Sequence, residues 1–166
     1  MKRTIVLIRH AKTHPVGPLQ RDYDRALTGR GEQDAAAMGR RLHEQRLRPA
    51  MIIASPARRA EQTALLIAEA TGFEQNQIRW EPQLYRAAPP AFEQTISLAP
   101  DEAHTLYIVA HNPGITDFAN ELSPAFSIDH LPPCGMLAVS AEANTWQEFA
   151  TAEKKIVFFD YPKLNP

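Results

Sequence analysis

The run Thr4-Ile5-Val6-Leu7-Ile8 constrains the fold more than any other feature: five consecutive aliphatic or β-branched residues, followed at once by Arg9 and His10. A strand with one wet face alternates apolar and polar residues, whereas an unbroken apolar run of this length reads as a strand buried on both faces, as in parallel sheets covered by helices. Ligands of open parallel α/β sheets bind beyond the carboxyl ends of the strands. Arg9 and His10 fall at that end of this strand.

The remaining chain alternates strand-like and helix-like stretches. After an irregular polar segment with Pro15, Gly17 and Pro18 that reaches about Leu27, Thr28 is positioned as an N-cap and apolar residues recur at helical spacing from about Glu32 to Arg46. A second strand is expected at Met51–Ser55, a helix from Pro56 to about Thr71 closed by Gly72, and a weak third strand at Ile78–Trp80. A short helical stretch follows near 91–98, then a strong central strand at Thr105–Ala110 and a helix at Pro113–Leu122. Two weaker strands, Met136–Ser140 and Lys155–Phe159, are expected to pair as an edge hairpin. This order predicts an α/β, three-layer sandwich: a mostly parallel central sheet with helices on both faces, as one domain spanning 1–166.

Composition narrows the function classes. A net charge of −1, from 18 basic and 19 acidic residues, supplies no bulk field for nucleic acid or an anionic membrane, so any anion recognition is local. The N-terminus has no signal-peptide pattern, and no stretch suits a membrane span, which makes a cytoplasmic location the expectation. The single cysteine, Cys134, excludes an internal disulfide and is assigned to packing; histidines at metal-ligand spacing are absent, so no metal and no cofactor are expected. A monomer is the expected state.

Each of the three best strands ends in residues that suit a phosphate. The first ends in Arg9-His10. The second runs into SPARRAEQTA, where Ser55 would cap the helix and Pro56 would take its first position, with Arg58 and Arg59 in the first turn; spacing alone does not choose between the two arginines. The central strand ends in AHNPG, where His111 precedes Asn112 as a second candidate N-cap and Pro113 as a first helical residue. If the strands are neighbours, two histidines and arginines from two loops converge on one phosphoryl-sized anion. His14, His43, His104 and His130 have no such setting. A histidine between arginines can attack phosphorus and form a phosphohistidine intermediate, with guanidinium groups stabilising the charge on the transferred group. His10 is the candidate nucleophile and His111 a candidate donor to the same oxygens.

LIRHAKT, SPARRAEQTA and VAHNPG together resemble the motifs of the histidine phosphatase superfamily, the phosphoglycerate mutase-like proteins, and DYDRALTGRGEQDA with LPPCGMLAVS resembles its small SixA-like phosphohistidine phosphatases. The resemblance implies the phosphoglycerate mutase-like fold and a nucleophile at His10. It implies phosphate-binding residues at Arg9, Arg59 and His111, with Arg59 chosen over Arg58 because it directly precedes Ala-x-Gln-Thr. It also implies Arg25 near the phosphate and Asp22 as a loop or pocket-rim residue. Members acting on phosphate esters usually carry an acid after the third strand. The corresponding stretch here, EPQLYRAAPPAF, offers no clear one, which leaves Glu81 or Asp22 as candidates. An alkoxide needs a proton to leave and imidazole does not to the same degree. The expected activity is hydrolysis of phosphohistidine on a protein. The alternatives are a small-molecule phosphomonoesterase using Glu81 or Asp22 as acid, and a non-catalytic module that binds phosphate or a phosphorylated protein.

Overall fold

The computed structural model describes residues 1–164. Strands β1 (Lys2–Arg9), β2 (Met51–Ala54), β3 (Arg79–Trp80), β4 (Thr105–Ala110), β5 (Met136–Glu142) and β6 (Lys155–Asp160) form one sheet in the order β3-β2-β4-β1-β5-β6. The pairings β3-β2, β2-β4 and β4-β1 are parallel; β5 runs antiparallel to both β1 and β6. The sheet is therefore mostly parallel, as the apolar runs predict. The expected edge hairpin is corrected in one respect: β5 is an interior strand against β1, only β6 is at the edge, and the short helix α5 (Trp146–Phe149) lies between them in the chain.

β1 shows why an unbroken apolar run was required. Its residues alternate between two cores, Ile5 and Leu7 packing into one and Val6 and Ile8 into the other, all fully buried. The first core is closed by α3 (Pro89–Ser97), α4 (Gly114–Leu122) and α5, through Phe92, Ile96, Ile115, Phe118, Trp146 and Phe149. Phe92 stacks on Phe118 with ring centroids 5.3 Å apart. The second core is closed by α1 (Gly29–Glu44) and α2 (Arg58–Thr71), through Ala35, Met38, Leu42, Ala60, Ala64 and Ile67. Each fully buried aliphatic side chain contributes roughly 1.5–3 kcal/mol of transfer free energy, so both helical layers are held by the sheet they cover.

Helix boundaries differ from the sequence expectation where backbone geometry overrides propensity. Thr28 does cap α1, its Oγ1 accepting from Gly31 N–H at 2.9 Å, so the helix starts at Gly29 rather than near Glu32. Gly72, with φ +75°, terminates α2 in the left-handed conformation that glycine adopts without a Cβ penalty. Pro56 and Pro113 are not first helical residues: α2 begins at Arg58 after Ala57, and α4 begins at Gly114 after Pro113. Asn112 is accordingly not an N-cap. Its side chain accepts from Thr116 Oγ1 and donates to the Leu131 carbonyl, tying α4 to the loop before β5.

The topology sets the site. Register pairs Arg9 with Ala110 and Ala54 with Val109, so β1, β4 and β2 end level and side by side, and the residues that follow them share one edge. The segment between β1 and α1 folds back over that edge. Its base is fixed by an antiparallel bridge between Thr13 and Leu27, by Thr28 N–H to the Lys12 carbonyl, and by Leu27 N–H to Gln62 Oε1 on α2.

Candidate active site

Arg9, His10, Arg59 and His111 meet at the shared strand edge, and Asp22 and Arg25 reach them from the folded-back segment. His10 is buried, and its Nδ1 lies 2.8 Å from the carbonyl of Ala11. A carbonyl only accepts, so Nδ1 carries the ring proton and Nε2 keeps its lone pair. That lone pair faces Arg59, whose Nε–H donates to it at 3.3 Å. The local backbone is pinned on both sides: Ala11 N–H donates to Thr63 Oγ1, which in turn donates to the Arg59 carbonyl, and Cys134 N–H donates to the His10 carbonyl. Gln62 and Thr63 of the SPARRAEQTA stretch thus brace the residues around the two ends of the β1–α1 segment.

Both histidines are held neutral. Burial, with the cationic surroundings of Arg59 and Arg9 and the neighbouring His111, lowers His10 to about 3 despite the opposing bond to Ala11. Burial and the nearby arginines likewise lower His111 to about 3, against the opposing charge of Asp22. The two rings stand 5.2 Å apart. Ser55 is not primarily a helix cap. Its Oγ lies 2.7 Å from His111 Nε2 and also accepts from Ala57 N–H, which favours donation of the hydroxyl proton to Nε2 and places the imidazole proton on Nδ1. His111 Nδ1 is buried without a protein partner. The same is true of Arg9 Nε, while the Arg9 Nη1 group donates to the Leu131 carbonyl at 2.8 Å. Burial, then Arg59 and Arg25, lower the Arg9 guanidinium from its usual value. Buried donors with no protein acceptor, converging among guanidinium groups, suit the oxygens of a phosphoryl group.

Asp22 anchors this array. Arg59 Nη1 donates to its carbonyl at 2.8 Å and Arg59 Nη2 to Oδ2 at 3.0 Å; Tyr85 Oη donates to the same Oδ2 at 2.8 Å; Arg25 Nε lies 3.1 Å from Oδ1. Burial by itself would raise the Asp22 carboxyl, but the bonds from Tyr85 and Arg59 and the charges of Arg59 and Arg25 outweigh it and hold the group below the usual carboxylate range. An ionised carboxylate with these donors has no proton to give. Glu81 is equally unsuited: its carboxylate accepts from Gln83 N–H at 3.2 Å, lies 3.5 Å from Arg79, and does not line the cleft. Neither acid candidate of the sequence is therefore poised to protonate a leaving group.

The cleft over the array is open, about 460 Å³, and its walls include Arg25, Arg59, Tyr85, Arg86, His111 and Pro113. Tyr85 and Ser55's bond to His111 escaped the sequence reading. A tyrosine following a two-residue strand carries no periodic or spacing signal, and a serine before a helix reads first as a cap. Arg58 is exposed, in contrast to buried Arg59. Among the described residues, no group of three or more His, Cys, Asp or Glu side chains is placed to hold a metal ion, and no helix is long and apolar enough to cross a membrane.

Comparison with known proteins agrees with this geometry. The model of the histidine phosphatase superfamily (branch 1) matches residues 5–112, which include every residue of the array. A protein of Mycobacterium leprae (strain TN) is 30% identical over 94% of this chain and 100% of its own length. Among solved structures, one described as phosphohistidine phosphatase SixA from Nakamurella multipartitia is 25% identical with a TM-score of 0.79, covering 98% of both chains. The protein histidine phosphatase SixA complexed with tungstate shares the fold at a TM-score of 0.81 and 17% identity, covering 96% of this chain and 97% of that one. The chain belongs to the histidine phosphatase superfamily, branch 1, as a SixA-like hydrolase acting on phosphoryl groups.

Proposed function

We propose that the protein removes phosphate from phosphohistidine on a protein substrate through a phosphoenzyme at His10. The observation that carries this reading is a neutral, buried histidine beside a cleft without an available acid: the His10 Nε2 lone pair lies at the guanidinium of Arg59, and Asp22, the carboxylate of the array among the described residues, is held ionised by Arg59 and Tyr85.

The chemistry balances without a carboxylic acid. His10 Nε2 attacks phosphorus as the P–N bond of the substrate breaks, and the Nδ1–H bond to Ala11 stabilises the charge that develops on the ring. When the distal nitrogen of the substrate imidazole carries a proton, the departing group is a neutral imidazole and takes the bonding electrons without further protonation. Water then attacks the phosphorus, its protons passing to phosphate and solvent, and His10 leaves in its turn as a neutral imidazole with Nδ1–H still bonded to Ala11. Arg9, Arg25 and Arg59 receive the equatorial oxygens, and His111 Nδ1–H donates to one of them. An alkoxide, with a conjugate acid far weaker than imidazolium, would have no such exit. The open cleft suits a phosphorylated side chain on a protein surface.

The test compares wild type with His10→Ala on phosphohistidine and on a panel of phosphomonoesters, with a chelator present. Preference for phosphohistidine, with no turnover and no acid-labile phosphoenzyme in the variant, is the expected result. Faster hydrolysis of sugar phosphates would replace the substrate assignment with a small-molecule phosphomonoesterase, and undiminished turnover by His10→Ala would overturn the mechanism.

A further inference from the structure

Tyr85 stands where the sequence offered no acid, yet it is one of the best-connected side chains of the cleft. Its hydroxyl donates to Asp22 Oδ2 at 2.8 Å, the same oxygen that accepts from Arg59 Nη2 at 3.0 Å. Its ring packs edge-on against His111 at 5.6 Å and against Tyr23 at 5.1 Å. The chain of contacts runs Tyr85 to Asp22 to Arg59 to His10, and it crosses three separate parts of the fold: the turn after β3, the segment between β1 and α1, and the first turn of α2.

From this geometry we infer that Tyr85 is a positioning residue, acting through Asp22 to fix the Arg59 guanidinium beside His10 Nε2. The inference rests on the proposed role of His10 and Arg59. Asp22 sits on a segment without regular structure apart from one turn of 3-10 helix, Asp22–Asp24. Its other carboxylate contacts are two arginine side chains, both long and flexible. Tyr85 supplies the short, rigid strut: a ring with two torsions, held by two other rings, that presents its hydroxyl at a fixed point. Without it, the carboxylate can follow either guanidinium, and Arg59 loses the constraint that aims its Nε at the nucleophile. Burial and the Asp22 carboxylate raise the Tyr85 phenol above its usual value, so the hydroxyl stays protonated and donates throughout the working pH range. Tyr85 is not itself an acid for the leaving group, because its proton is directed at Asp22.

A double-mutant cycle tests the inference, using tungstate affinity by calorimetry and kcat and KM on phosphohistidine as parallel readouts. Tyr85→Phe keeps the ring contacts and removes only the hydroxyl. A lost hydrogen bond to a charged group predicts a roughly tenfold fall in kcat, with a smaller change in KM. Tungstate binding should weaken in parallel. In an Asp22→Ala background, the same Tyr85→Phe change should have almost no effect on either quantity. Additive losses would show that the hydroxyl touches the substrate directly and would overturn the inference. So would a Tyr85→Phe protein with wild-type kcat and tungstate affinity. Tungstate binding needs no turnover, so the positioning role is judged separately from the phosphoenzyme: failure of wild type to label at His10 would remove the proposed function while leaving the cycle readable.

Discussion

The neutrality of the paired histidines has a direct consequence for stability. His10 and His111 are both 6% exposed and both lowered to about 3, against an unfolded value of about 6.5. Folding favours their neutral forms, so the contribution is fully present above pH 6.5 and is lost as pH falls from there towards 3, where the unfolded chain binds two protons that the folded one refuses. Between pH 7 and pH 5 the loss is about 2 kcal/mol for each histidine, or about 4 kcal/mol for the pair. That is a large share of a total stability of about 5–15 kcal/mol. The lowered carboxyl of Asp22 acts in the same sense but titrates below its ordinary value of 3.8, outside this window. Urea unfolding at pH 7, 6 and 5 in buffers free of phosphate and other oxyanions measures the slope, since a bound oxyanion would add stability by mass action. Each single variant, His10→Gln or His111→Gln, should lose about half of the slope and the double variant most of it. A wild-type stability that is flat from pH 7 to 5, or a double variant with an unchanged slope, would refute the reasoning.

Further substitutions probe the contacts that brace the site. Ser55→Ala removes the 2.7 Å contact to His111 Nε2 and the acceptor of Ala57 N–H, and should cost about 1–3 kcal/mol in denaturant unfolding together with a roughly tenfold fall in kcat/KM. Gly114→Ala would place a Cβ 1.9 Å from the Ala87 carbonyl, displacing the turn that carries Tyr85; it should cost about 1–3 kcal/mol and lower activity as well, whereas Gly29→Ala, with nothing within 4 Å, should do neither.

The sequence made the central sheet legible because burial on both faces leaves a direct trace: β1 and β4 carry the apolar runs Ile5–Ile8 and Leu106–Ala110, whose odd and even residues go to different cores. It made the convergence of Arg9, His10, Arg59 and His111 legible for a related reason, since level strand ends bring together whatever follows them. The helix starts at Pro56 and Pro113 were misplaced because proline propensity describes a first turn in isolation. In the structure Ser55 engages His111, and Asn112 engages Thr116 and the Leu131 carbonyl. Asp22 could be located by resemblance but not understood from it. Its hydrogen bonds come from residues 63 and 37 positions away in the chain, and contacts of that separation have no local signature.

Those long-range contacts also decide the charge of the cleft. Arg9, Arg25 and Arg59 bring three positive charges to a site whose histidines are neutral, and Asp22 returns one negative charge to the same array. With Arg86 also on the cleft wall, the site keeps a net positive charge that suits a phosphoryl dianion. Were Asp22 protonated, as an acid role would require, the array would hold three uncompensated guanidinium groups, one of which, that of Arg59, is hydrogen-bonded to that carboxylate. Were His10 protonated, it would add a fourth positive charge and forfeit the lone pair on Nε2. The protonation state that relieves the electrostatic strain is therefore the one that keeps the His10 Nε2 lone pair unprotonated and Asp22 ionised. On the proposed mechanism, a preference for a P–N over a P–O substrate would follow from how the arginines are neutralised.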